Sequence, residues 1–162
     1  MSADTACEAE KRMPMRALSL SPVIAAAALL CACGSGGDAP TPESLLAQLP
    51  APYNGADFVH GRQVFVQCTA CHTATKGGAN MVGPNLYGVF GIKAGVQPET
   101  FAFSDALKNS GIVWDTASLD KWLTDPMAMV PGTKMSFIGV KDATDRRDLI
   151  GYLKVVTSGG PQ

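Results

Sequence analysis

The chain has 162 residues, 46% of them hydrophobic and 17% charged, with a formal net charge of −1. That length suits one domain with extensions, and the apolar content is ordinary for a globular chain. A near-neutral balance argues against a nucleic-acid or strongly anionic partner.

Residues 1–16 carry Lys11, Arg12 and Arg16, and residues 17–30, Ala17 to Leu30, are almost wholly apolar. A basic start followed by a short apolar run is a signal-peptide pattern, too short for a comfortable membrane span. Met13 or Met15 could be the true start. The run ends in Leu30-Cys31-Ala32-Cys33-Gly34, which resembles a bacterial lipobox. The expected events are removal of residues 1–32 and lipidation of Cys33. The alternatives are an ordinary small-residue cleavage site or an uncleaved anchor, with Cys31 and Cys33 incidental. Either way the chain is exported.

Residues 33–52 are rich in Gly, Ser and Pro and offer little to pack, so they read as a flexible tether. Glu43 to Leu49 could form a short helical turn. A tether on a lipid would hold the domain near a membrane partner and raise its local concentration there. The domain is then expected over 53–157, with a tail at 158–162.

A first helix is predicted over 55–70, with Phe58, Val64 and Phe65 on its inner face. Gly61 interrupts it at a cost of about 1 kcal/mol, and a small residue there would admit a second helix. Lys76-Gly77-Gly78-Ala79 and Gly83-Pro84-Asn85 are loops. Ser104 to Asn109 is a short helix capped by Ser104 and ended by Gly111. A second amphipathic helix runs from Asp115 to Thr124, capped by Asp115 or Thr116, with Leu119, Trp122 and Leu123 on one face. The last helix is predicted from Thr144 to Val156.

The chemistry concentrates in Cys68-Thr69-Ala70-Cys71-His72. C-x-x-C-H is the attachment signature of a c-type haem. Each cysteine forms a thioether to one haem vinyl, and the histidine is the proximal iron ligand. C-x-x-C alone also serves zinc sites and dithiol redox centres. Zinc would need a second ligand pair, and no cysteine or histidine lies downstream. A dithiol centre would need a βαβ setting, and strand patterns are few. Met135, in Val130-Pro131-Gly132-Thr133-Lys134-Met135, sits on a Pro/Gly loop that suits a second axial ligand. His/Met ligation raises the haem potential. Met127, Met129 and Met81 read instead as core filler. His60 reads as a solvated surface histidine, because His72 already takes the proximal site.

From about Asn54 to Val156 the chain resembles a class I cytochrome c, close to the mitochondrial and bacterial c2 type, in a membrane-anchored bacterial form. The resemblance rests on Cys68–His72, Gly83-Pro84-Asn85-Leu86, Gly111-Ile112-Val113-Trp114, Pro131–Met135 and Asp148-Leu149-Ile150-Gly151-Tyr152-Leu153, in that order. It implies an all-α fold with helices wrapped around one covalently attached haem and with crossed N- and C-terminal helices. It implies a one-electron carrier rather than an enzyme, without a small-molecule substrate. The C-terminal helix would cross at Gly61 with Leu149, Tyr152 and Leu153 inward. The Pro84 carbonyl would accept a hydrogen bond from His72. Trp114 would donate its indole N–H to a haem propionate, Thr133 would add a hydroxyl near it, and Phe137 would cover the haem edge. The implied partners are a quinol–cytochrome c reductase and a terminal oxidase or reductase, on the periplasmic side of a bacterial membrane.

The chain departs from that pattern in two ways. Ile92 stands where an arginine is common, Phe103 where a tyrosine is, Leu107 where an asparagine is, and Trp122 where a tyrosine is. Lysines that often ring the haem edge are missing around Met127-Ala128-Met129 and Val140-Lys141-Asp142-Ala143. From Cys33 onward there are 10 Lys plus Arg and 11 Asp plus Glu. Long-range steering should be weak and docking more apolar. The alternatives are a haem subunit of a larger oxidoreductase complex, or a haem enzyme or sensor with a labile sixth ligand.

Overall fold

The computed structural model describes residues 40–158, so the expected signal peptide, Cys33 and the C-terminal tail after Ser158 lie outside the described residues. Six α-helices appear there: α1 Pro42–Leu46, α2 Phe58–Phe65, α3 Asp105–Lys108, α4 Thr116–Thr124, α5 Pro126–Met129 and α6 Ala143–Thr157. No strand forms among the described residues; Lys93 and Val113 make one isolated antiparallel bridge.

Local chemistry sets the helix ends. The Asp57, Ser104, Asp115 and Asp142 side chains each accept from backbone N–H groups in the first turn of α2, α3, α4 and α6. Such caps satisfy donors that a helix leaves unpaired, each worth about 1 kcal/mol. Asp115 is the cap of α4, in a reciprocal pair with Ser118. The first helix is shorter than the sequence pattern predicts: α2 stops at Phe65, and a 3-10 turn over Val66–Cys68 carries the chain into the cysteine motif. The tighter turn ends the helix just where the chain must present Cys68 and Cys71.

The core is organised by α2 crossing α6. Leu149, Ile150 and Val156 of α6 are fully buried, and Tyr152 rings tilt against Phe58 and Phe65 at 5.3 and 5.2 Å. Gly61 makes the crossing possible, because a Cβ there would strike the Asp148 carbonyl and lie 2.8 Å from Tyr152 Cβ. Arg146 joins α6 to α4: its Nε donates to Asp120 at 2.9 Å, and Nη1 donates to the carbonyls of Val140 and Lys141.

Part of the stretch read as tether is folded. Residues 42–46 form α1, started by Pro42 and the Thr41 cap. Leu45, Leu46 and Leu49 are buried in a second apolar cluster with Val155 of α6. Three buried leucines contribute about 1.5–3 kcal/mol each before ordering entropy is subtracted. His60 is likewise not merely solvated. Its Nδ1 lies 2.8 Å from Asp148 Oδ2 and its Nε2 lies 3.4 Å from Asp145 Oδ1, across the helix crossing. Of the three methionines read as core filler, Met129 packs against the core, but Met81 and Met127 are about half exposed.

Candidate functional site

Among the described residues the fold leaves a large crevice. It has a volume of about 710 Å³ and is lined by Cys68, Cys71, His72, Pro84, Trp114, Thr133 and Met135 together. Ile92, Phe101, Phe103, Leu107, Trp122 and Phe137 add apolar walls, and Lys134 is the only Lys, Arg, Asp or Glu in the lining. A largely apolar crevice with a minority of polar groups is the usual form of a cofactor site, with typical volumes of about 300–1,000 Å³.

His72 is held by its loop. Its Nδ1 is 2.7 Å from the Pro84 carbonyl oxygen. A carbonyl only accepts, so Nδ1 carries the proton and Nε2 of the neutral ring keeps its lone pair. Burial pushes the His72 pKa down, and the Pro84 bond only partly opposes it. The ring therefore stays neutral near pH 7, which is the state that binds a metal.

Pro84 is itself fixed from both sides. Gly83 N–H donates to the Cys71 carbonyl at 2.8 Å, and Leu86 N–H donates to the Thr73 carbonyl at 2.8 Å. Asn85 then ties the loops together. Its Nδ2 donates to the carbonyls of Thr75 and Gly78, its Oδ1 accepts from Tyr87 N–H, and its own N–H donates to Asn80 Oδ1. Sequence reasoning placed Asn85 in a loop and missed this role. The signal was present, since an Asn after Gly-Pro is a side chain suited to hydrogen-bonding nearby backbone.

Cys68 and Cys71 are not joined by a disulfide. Burial, helped by the neighbouring Cys71, pushes the Cys68 thiol up to about 11. Dithiol redox centres need the opposite shift, because the thiolate is their nucleophile. Among the described residues no group of three or more His, Cys, Asp or Glu gathers in a way that could hold a metal ion. Zinc-type ligation therefore lacks its donors, while a haem needs only the cysteine pair and axial ligands from His and Met.

The Met135 side is built from a turn. Thr133 N–H donates to the Val130 carbonyl at 3.0 Å, with Pro131 and Gly132 between them and Gly132 at φ +89°. Pro followed by a residue with positive φ is a type II turn, and Gly suits that position. Thr133 Oγ1 accepts from Met135 N–H at 3.2 Å, so the buried hydroxyl oxygen holds the Met135 loop itself. Lys134 Nζ donates to the Ala102 carbonyl at 3.3 Å, joining the loop to the Phe101–Phe103 wall.

On the far wall, residues 91–94 pair with 112–114. Gly91 N–H donates to Trp114 O at 2.7 Å, Trp114 N–H to Ile92 O at 3.0 Å, and Ala94 N–H to Ile112 O at 2.8 Å. That ladder brings Ile92 and Trp114 to the crevice. Trp114 packs edge-on against Trp122 of α4, with centroids 5.4 Å apart.

Residues 58–157 match the family profile described as cytochrome c. The chain is 50% identical over 101 residues to a cytochrome c2 of Rhodomicrobium vannielii, a stretch covering 62% of this chain and 80% of that one. It is 47% identical over 116 residues to a cytochrome c2 of Blastochloris viridis, covering 72% and 91%. A solved structure of cytochrome cH from Methylobacterium extorquens superposes with a TM-score of 0.57 at 50% identity, over 61% of this chain and 98% of that one.

Proposed function

The chain belongs to the cytochrome c family, electron-transfer proteins that carry a covalently attached c-type haem, and from that premise we propose that its electrons pass through one haem bound by Cys68 and Cys71 with His72 and Met135 as axial ligands. One observation carries this reading: Met135 and a His72 with its Nε2 lone pair left bare line the same apolar crevice. The haem supplies the one-electron couple. The protein orients His72 through Pro84, excludes water with Phe101, Phe103, Phe137 and Trp122, and holds the Met135 loop through Thr133. Trp114 would donate its indole N–H to a haem propionate.

The visible spectrum of the oxidised holoprotein tests the ligation. A weak far-red band of methionine–ferric haem at neutral pH is expected. Its absence, with ready carbon monoxide binding after reduction, would leave the sixth position open and favour an enzyme or sensor.

The carrier is proposed to work on the periplasmic side of a bacterial membrane, lipidated at Cys33, between a quinol–cytochrome c reductase and a terminal oxidase. The lipobox-like Leu30–Cys33 stretch supports this. No helix among the described residues is long and apolar enough to cross a membrane. Mass spectrometry of the N-terminal peptide tests it; an unmodified Cys33 thiol would remove lipidation. Docking is proposed to be apolar. Val82 lines the crevice and is 79% exposed, Ile138 beside Phe137 is 82% exposed, and Lys134 is the single Lys, Arg, Asp or Glu in the crevice lining. Reduction by the partner should therefore depend weakly on salt. A steep fall in rate with added salt would overturn this part.

A further inference from the structure

Residues 42–56 precede residues 58–157, which match the family profile, yet they are folded. Leu45, Leu46 and Leu49 are buried with Val155, and Tyr53, Ala56 and Phe58 pack against them. Helix α6 is shaped to receive them. A Cβ at Gly151 would strike Ala56 Cβ and lie 2.9 Å from Leu46 Cδ2. Glycine is a poor helix former in the middle of a helix, so its place in α6 is explained by this close approach. The Thr41 side chain caps α1 within the segment, and at its C-terminal end the Asp57 N–H ties it to α6 by donating to buried Asp148 Oδ1 at 3.0 Å. None of these residues, and none of α6, lines the crevice.

We propose that residues 42–56 are a strap that fixes where the N-terminal region joins the domain, on the α6 side and among residues that do not line the crevice. The second half of the idea rests on the lipid-anchor reading above. With the strap docked, only residues 33–40 separate Cys33 from the folded unit, a span of at most roughly 28 Å, against roughly 70 Å if 33–52 were all free. The strap thus sets a short reach while leaving the electron-transfer rim open to a partner.

Hydrogen–deuterium exchange on the full-length holoprotein tests the strap. Amides of Leu45, Ala47 and Leu49, which are hydrogen-bonded within the segment, should exchange at least about a hundredfold slower than in an unstructured peptide. Gly151→Ala favours helix but blocks the strap. It should bring those amides to within about tenfold of the peptide rate while α6 amides at 153–156 stay protected. Peptide-like exchange in the wild type, or full protection in Gly151→Ala, would overturn the strap. Reach is tested in vesicles carrying a quinol–cytochrome c reductase, with wild type and the Leu45→Ser/Leu46→Ser variant bound by their own N-termini. A severalfold change in reduction rate is expected, with unchanged reduction by soluble ascorbate; identical vesicle rates would overturn the role in reach. Failure of the wild type to stay with the vesicles would instead remove the lipid anchor and the reach argument with it. The exchange data would still decide the strap.

Discussion

Gly83 lies flat against the imidazole of His72. A Cβ built on Gly83 would sit 2.7 Å from both Nδ1 and Nε2 and would overlap Cε1. The ring is therefore positioned by contact as well as by its hydrogen bond to Pro84.

Gly83→Ala should push the His72 ring off the Pro84 carbonyl. Overpacking of this kind costs about 1–3 kcal/mol. The holoprotein variant is expected to unfold at lower denaturant and to show a disturbed low-spin spectrum. Wild-type values for both would mean that the loop relaxes freely around the ring.

Gly61→Ala reads the helix crossing. The substitution gains about 1 kcal/mol of helix propensity, but the new methyl meets Asp148 and Tyr152 at a cost of about 1–3 kcal/mol or more. A net loss of about 1–2 kcal/mol is expected, each kcal/mol lowering Tm by about 4–8 °C. Gly55→Ala is the control, because nothing lies within 4 Å of its added methyl. Equal Tm values for the two variants would sink the argument.

His60 and Asp148 make stability depend on pH. The hydrogen bond to Asp148, opposed by desolvation and helped by Asp145, raises His60 above its usual 6.5. Burial pushes Asp148 up, but bonds from His60, the Asp57 N–H and Arg147 outweigh it and leave its pKa below 3.8. The His60 contribution is complete below pH 6.5 and fades as pH rises through its raised pKa. The Asp148 contribution is complete above about pH 3.8 and fades as pH falls through its lowered pKa. Both operate between these limits. His60→Gln should therefore cost more stability at pH 5 than at pH 8, measured by urea unfolding at low salt. Equal losses would show that the pairing carries no net energy.

Ile92→Arg would add a cation to a crevice whose lining has Lys134 as its only other one. A positive charge disfavours the oxidised haem, so potentiometric titration should give a higher midpoint than the wild type. An unchanged or lower midpoint would mean that water or a propionate screens the new charge.

Much of the fold was legible because its signals are local. Ser104, Asp115 and the Leu119/Trp122/Leu123 face mark α3 and α4 within a few residues of where they lie, since capping and helical periodicity act over one or two turns. The crevice residues were also legible, as short motifs. Less visible were the supports around them. His60 read as solvated because its carboxylate partner is 88 residues away in sequence. Residues 42–49 read as tether because Gly, Ser and Pro surround three leucines whose partner, Val155, lies on the last helix.

The sequence by itself determined that two cysteines and a histidine sit on one turn, that a methionine follows on a Pro/Gly loop, and that helices separate them, because spacing and caps are properties of neighbouring residues. Only the tertiary structure decided how closely the backbones meet: Gly61 on Asp148, Gly151 under Leu46 and Ala56, and Gly83 on His72. A glycine has no side chain to announce what it will face. Its role appears only when packing brings a distant segment to within a methyl group of its Cα.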